Sequence, residues 1–162
     1  MQLAAILILV LLSGFFSSAE TSLTTANRVR LKALADEGSK RAQTALDVLE
    51  KYGKMLSAIL IGNNIVNIVA SSLATTLALK IGLAVGIATG ILTVVILLFG
   101  EIIPKNVAMV YSEKMALFYA SIISGLMKIM TPVIFLIDKL AGALMKLLHI
   151  DAGKRTAMTE TE

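Results

Sequence analysis

The sequence contains no cysteine, no tryptophan and one histidine, and its aromatics are five phenylalanines and three tyrosines in 162 residues. Without cysteine there is no disulfide, no thiolate metal site and no cysteine nucleophile. The lone His149 rules out the histidine clusters of zinc sites and a His-based catalytic triad elsewhere in the chain. So few aromatics argue against a nucleic-acid stacking platform. Charge is also scarce. Only 16% of residues are charged and 57% are hydrophobic, whereas a soluble domain carries about 25% charge. The chain lacks the polar groups to coat a globule in water, so lipid is its second solvent. Its length suits one domain.

A helix needs roughly 20 mostly apolar residues to cross a bilayer. Residues 3–26 qualify with Glu20 as their only charge, 55–79 carry none, and 81–104 carry only Glu101 near the end. Lys80 separates the last two stretches and marks a tight helical hairpin. Residues 27–54 hold seven basic side chains (Arg28, Arg30, Lys32, Lys40, Arg41, Lys51, Lys54) against four acidic ones. Basic loops stay cytoplasmic, which puts the N-terminus outside, this loop inside and everything after Lys105 inside. Within the loop, Leu31/Leu34 and Ala42/Leu46/Leu49 recur at helical spacing, and Gly38 and Gly53 stand at stop positions. Two short amphipathic helices are expected there. Read as a signal peptide, residues 1–19 would offer Ser17-Ser18-Ala19 for cleavage, but no Lys or Arg precedes Arg28, so the positive n-region is missing.

A fourth apolar stretch, 112–150, is laid out differently. Lys114, Lys128, Lys139 and Lys146 are spaced by 14, 11 and 7 residues, and at about 100° per residue they form one narrow stripe. That suits a juxtamembrane belt helix with its lysines toward anionic headgroups. A bend is expected at Thr131-Pro132. The architecture expected is therefore an all-α membrane protein of three spans plus a belt helix, multi-pass in the cell (inner or plasma) membrane. Residues 151–162 would begin a linker to cytosolic domains.

Polar groups in a bilayer are costly and point to function. Three clusters stand out: Ser17-Ser18-Ala19-Glu20 after Gly14, Gly62-Asn63-Asn64 with Asn67 one turn on, and Gly100-Glu101-Ile102-Ile103-Pro104. Counted from their cytoplasmic ends, Ser17, Asn63 and Glu101 lie roughly 14, 12 and 6 Å deep, which brings oxygen-bearing side chains to one inner-leaflet layer. Pro104 removes an amide and disfavours helical geometry at Ile103, leaving carbonyls free near Gly100. Gly14 and Gly62 permit close backbone approach or a break. The donors are hydroxyl, amide, carboxylate and carbonyl, the chemistry of hard cations such as Mg²⁺, Ca²⁺ or Na⁺.

Each residue also has a purely structural reading. Ser17 and Ser18 would back-bond to their own helix, and Asn63, Asn64 and Asn67 would bridge helices. Glu20 would pair with Arg28 or Lys32, and Glu101 with Lys105. Gly82, Gly86 and Gly90 form a small-residue stripe read as helix packing.

The three clusters, Phe16 through Glu20, Gly62 through Asn67 and Gly100 through Pro104, resemble the transmembrane domain of the CorB/CorC/CNNM magnesium transporters, most closely the prokaryotic CorC branch. The resemblance covers nearly the whole chain. It implies a homodimeric Mg²⁺ exporter, with Na⁺ as the coupling ion proposed for the family, and three spans and a belt helix per subunit. It also implies ATP-binding CBS modules in a cytosolic part outside this chain. Family ion positions carry over to Ser17, Asn63, Asn67 and Glu101, with backbone oxygens near Gly62 and Gly100; Ser18, Glu20 and Asn64 are secondary candidates. The function expected is alternating-access transport of a dehydrated Mg²⁺. The alternative is a membrane anchor whose bound ion signals to cytosolic domains. An intramembrane enzyme finds no activated nucleophile.

Overall fold

The computed structural model describes residues 1–147, and the expected linker and His149 lie outside them. Every element in this range is helical. Residues Met1–Met127 form one compact unit, and a second begins at Lys128.

The first unit opens with α1 (Gln2–Thr25). Asn27 then caps α2 (Arg28–Asp36), its side-chain oxygen accepting the amides of Val29 and Arg30 at 2.9 and 3.2 Å. Gly38, at φ 93°, makes the left-handed step after α2. Ser39 caps α3 (Lys40–Glu50) by accepting the Ala42 amide. The break after α3 falls at Lys51, and Gly53, expected at a stop, sits inside the first turn of α4 (Tyr52–Ile81).

α4 runs for 30 residues with no interruption at Gly62. It ends where Gly82 turns left-handed (φ 71°) and the Leu83 amide reaches back to the Ala78 carbonyl, the 6→1 closure that favours glycine. Gly82 therefore caps a helix instead of belonging to a packing stripe. Gly86 and Gly90, on α5 (Val85–Val95), have nothing within 4 Å of where a Cβ would stand, so no helix among the described residues packs on them.

The third span continues through a π-helical segment, Ile96–Ile102, into α6 (Ile103–Val110). The expected end at residue 104 is thus overshot. Proline is tolerated in the first turn of a helix, and the wider π turns absorb the missing amide, so Ile103 stays helical at φ −63°, ψ −50°. Gln2–Thr25, Tyr52–Ile81 and Val85–Val110 are the three helices long and apolar enough to span a bilayer. α7 (Ser112–Ile129) and α8 (Thr131–Leu147) follow, the break falling at Met130, next to the expected Thr131-Pro132.

α1 is the hub, the most buried of the three spans. Ser13 and Asn63 meet across α1 and α4, while Ile6 and Val10 meet Ala70 and Ala74, so the two helices are antiparallel. Leu92 joins that apolar cluster, and Gly100 and Pro104 lie against Ser13 and Gly14, so the third span runs parallel to α1. The half of the bundle nearer the N-terminus of α1 packs through an apolar cluster, and the hydrogen bonds between helices gather in the other half.

Gly82→Ala should cost about 1 kcal/mol, because an L side chain at this φ meets the left-handed penalty although the space around it is open. Thermal unfolding of the variant beside Gly86→Ala, which carries no such penalty, checks this; equal midpoints would contradict the cap.

Candidate functional site

The C-terminal half of α1 presents Ser13, Gly14, Ser17 and Ser18 at helical spacing, all buried. Nothing larger than a hydroxymethyl stands on this face, so the two other spans come close. A Cβ on Gly14 would lie 3.1 Å from the Phe99 carbonyl oxygen and 3.1 Å from the Pro104 ring. On Gly100 it would lie 3.0 Å from Ser13 Oγ, and on Gly62 within 2.8 Å of the Phe16 ring. These glycines are needed for close approach.

Ser13 was not singled out from the sequence, yet it sits at the three-helix junction. Its hydroxyl donates to Asn63 Oδ1 at 2.9 Å and abuts Gly100 of the π segment. The missed signal was its position four residues before Ser17, on the same face.

Ser18 satisfies itself as its structural reading expects, donating to the Gly14 carbonyl at 2.7 Å. Ser22, Thr24 and Thr25 bond back to α1 in the same way. Ser17 does not. Its residue is 2% exposed and its Oγ has no hydrogen-bond partner. Asn67 Oδ1 is likewise buried without a partner. Buried polar atoms are almost always paired, so two orphans in one bundle mark places where something else supplies the partner. Because α1 and α4 are antiparallel, Ser17 lies one turn to one side of the Ser13–Asn63 bond and Asn67 one turn to the other. Their backbones are then on the order of 10 Å apart along the bundle. In this conformation they flank the pair from opposite sides.

The π segment supplies the third wall. The Ile103 amide donates to the Leu98 carbonyl, and Pro104 has no amide to give. The Phe99 carbonyl thereby loses both its α-type and its π-type donor, and it faces Gly14. The free carbonyl expected near Gly100 falls one residue earlier. Gly62 lies inside an unbroken helix, so its carbonyl stays in the α4 ladder.

The charges sort themselves differently from either structural reading. Lys105 approaches Glu20 at 3.9 Å, not Glu101, and Arg30 pairs with Glu113 at 3.1 Å. The half-buried Glu101 carboxylate has no hydrogen bond or ion pair among the described residues. Asn64 is exposed on the outer surface of α4, away from Asn63. Among the described residues no three His, Cys, Asp or Glu side chains cluster as a metal centre. A cation here would depend mainly on neutral oxygens plus one carboxylate.

The profile of the cyclin M transmembrane N-terminal domain matches residues 4–162. The chain belongs to this family. A UPF0053 protein of Haemophilus influenzae is 40% identical over 159 residues, covering 96% of this chain and 38% of the relative. The UPF0053 inner membrane protein YfjD of Escherichia coli is 37% identical over 141 residues, covering 86% of this chain and 33% of its own length. A polyamine export protein of Escherichia coli is 30% identical over 176 residues, covering 99% of this chain and 39% of the relative. The chain thus spans about two fifths or less of the curated relatives it matches. Family membership and three apolar helices make this a multi-pass protein of the inner membrane, and the resemblance read from the three clusters holds.

Two substitutions separate the paired hydroxyl from the orphan. Ser13→Ala should destabilise the protein by about 1 kcal/mol, since Asn63 loses its donor. Ser17→Ala should stabilise it by about 1 kcal/mol, since an unsatisfied buried hydroxyl disappears. Unfolding in EDTA reads both; a Ser17→Ala variant less stable than wild type would show that its hydroxyl is paired after all.

Proposed function

We propose that this chain is the ion-translocating core of a membrane transporter whose substrate is Mg²⁺, working as a homodimer by alternating access. The observation that carries the reading is the unpaired oxygen that flanks the Ser13–Asn63 bond from both sides. It comprises the orphan Ser17 Oγ and Asn67 Oδ1, the Phe99 carbonyl without helical donors, and the unpaired Glu101 carboxylate. Mg²⁺ takes hard oxygen ligands at about 2.0–2.1 Å and is commonly held by one or two carboxylates. Glu101 supplies the charge, and Ser17 and Asn63 supply neutral oxygens beside it. Asn67, one turn outward, is the next ligand along the path as the helices shift. Discontinuous helical backbone lining such a site is a recurrent device of transporters.

The homodimer is favoured by the outward surface of α4. Asn64 is exposed there together with Ser71, Ser72 and Thr76, and an amide facing lipid at this depth is costly. A second copy that covers it removes the cost. α7 and α8 serve as the belt, with Lys114, Lys128 and Lys139 exposed for anionic headgroups. The N-terminus outside, Na⁺ as a coupling ion and ATP control through cytosolic domains complete the proposal.

A second reading has its own support, because one relative is named a polyamine export protein. A polyamine is also a multivalent cation, but each ammonium needs a carboxylate or a set of carbonyls. Of the two carboxylates on the spans, Glu20 is already beside Lys105. That favours the compact ion. The anchor or sensor alternative binds the ion but moves none.

Glu101→Gln keeps size and one oxygen but removes the one carboxylate of the three spans that has no ion pair, leaving a divalent ion among neutral dipoles. In liposomes the wild type should carry Mg²⁺ down its gradient and Glu101→Gln should lose more than tenfold in flux. Dimer size should not change. Transport of labelled putrescine in place of Mg²⁺ would favour the polyamine reading. Mg²⁺ binding by calorimetry without any flux would favour the sensor.

A further inference from the structure

Tyr119 on α7 is 8% exposed, and its hydroxyl lies 2.7 Å from Ser18 Oγ. Ser18 has one proton and sits 2.7 Å from the Gly14 carbonyl and 3.1 Å from the Phe15 carbonyl, both of which can only accept. The serine proton therefore goes to a carbonyl of α1, and Tyr119 must be the donor to Ser18. The chain of donation runs from α7 to Ser18 to Gly14, the residue whose Cα lies against the Phe99 carbonyl and the Pro104 ring.

A second path leaves the same side chain. The Tyr119 ring meets Phe15 edge-on at 5.0 Å, Phe15 meets Phe16 edge-on at 5.5 Å, and Phe16 covers Gly62, next to Asn63. Edge-to-face packing of this kind is directional. One residue of α7 thus reaches Gly14, packed against the π segment, by hydrogen bonds and α4 by rings, in both cases at the level of the candidate ion site. Six residues earlier, Glu113 holds the start of α7 to α2 through Arg30 at 3.1 Å. α7 is pinned at both points, so moving it displaces α1 or breaks the Tyr119–Ser18 bond.

We infer that Tyr119 is a positioning residue for the ion site: through Ser18 it sets the α1 face that carries Ser13 and Ser17, and it makes ion affinity depend on where α7 stands. This rests on the reading of the site as a Mg²⁺ site and adds the route by which a helix outside the three spans acts on it. Such coupling requires a physical connection with two arrangements, bond made and bond broken.

The test is Mg²⁺ titration calorimetry of the full protein in nanodiscs, comparing wild type, Tyr119→Phe, Ser18→Ala, Ser18→Thr, the Tyr119→Phe/Ser18→Ala pair and Glu101→Gln. Tyr119→Phe keeps every ring contact and loses only the hydroxyl. Its affinity should fall about three- to tenfold, the range a single buried hydrogen bond commands. Ser18→Ala should fall at least as far, Ser18→Thr should recover most of the loss, and the double variant should be no worse than Ser18→Ala alone, since the two groups act as one unit. Wild-type affinity in Tyr119→Phe, with binding lost in Glu101→Gln, would overturn this inference and leave the site reading standing. Losses that multiply in the double variant would overturn it as well. No Mg²⁺ binding by the wild type would overturn both.

Discussion

The close contact of α1 with its two neighbours governs the rest of the molecule. In lipid there is no hydrophobic force drawing apolar helices together, so association depends on van der Waals fit and on hydrogen bonds between helices. α1 meets this with Ser13, Gly14, Ser17 and Ser18 on one face. Phe99 and Pro104 then approach to within a methyl group's reach of Gly14, and Phe16 lies on Gly62 from the other side. A larger side chain at Gly14 would press on the Phe99 backbone and push the spans apart, whereas one at Gly62 or Gly100 would have to move the Phe16 ring or the Ser13 hydroxyl.

That polar layer is held below its own optimum of stability. Ser13 and Asn63 satisfy each other, and Ser18 has both a donor and an acceptor. Ser17, Asn67 and the Phe99 carbonyl are left short. A sequence selected only to fold would have apolar residues at these places or would close each group with a partner. The π segment belongs to the same pattern: it widens the helix where Pro104 withholds an amide and turns an oxygen toward α1. π turns inside α-helices concentrate at functional sites, and here the π segment carries Glu101, whose carboxylate is unpaired, and packs through Gly100 on Ser13 between the two orphan oxygens.

Charge partners follow the geometry of the third span. Because that span runs parallel to α1 and continues past Pro104, Lys105 arrives beside Glu20, at the level where α1 approaches the basic loop. This leaves Glu101 without its nearest basic neighbour in sequence. A carboxylate one helical turn from a lysine is ordinarily read as its partner, but here Lys105 turns to Glu20 on α1 instead.

Three spans, the basic amphipathic loop and the polar clusters were legible from residues alone, because hydropathy runs and charge placement report directly on the solvent each segment meets. Helix caps at Asn27, Ser39 and Gly82 are local chemistry, although Gly82 was first grouped with Gly86 and Gly90 because spacing cannot tell a cap from a stripe. Tertiary structure decided which oxygens are paired. Ser13 was invisible as a junction residue because its partner is 50 positions away, and Asn63 and Asn64 differ only in which side of α4 they face. The π turns also escaped the sequence, since proline announces a missing donor but not how the backbone accommodates it. Sequence determines what each segment can bury and which groups it must satisfy; the packing of α1 against α4, the third span and α7 alone determines which of those groups remain without a partner.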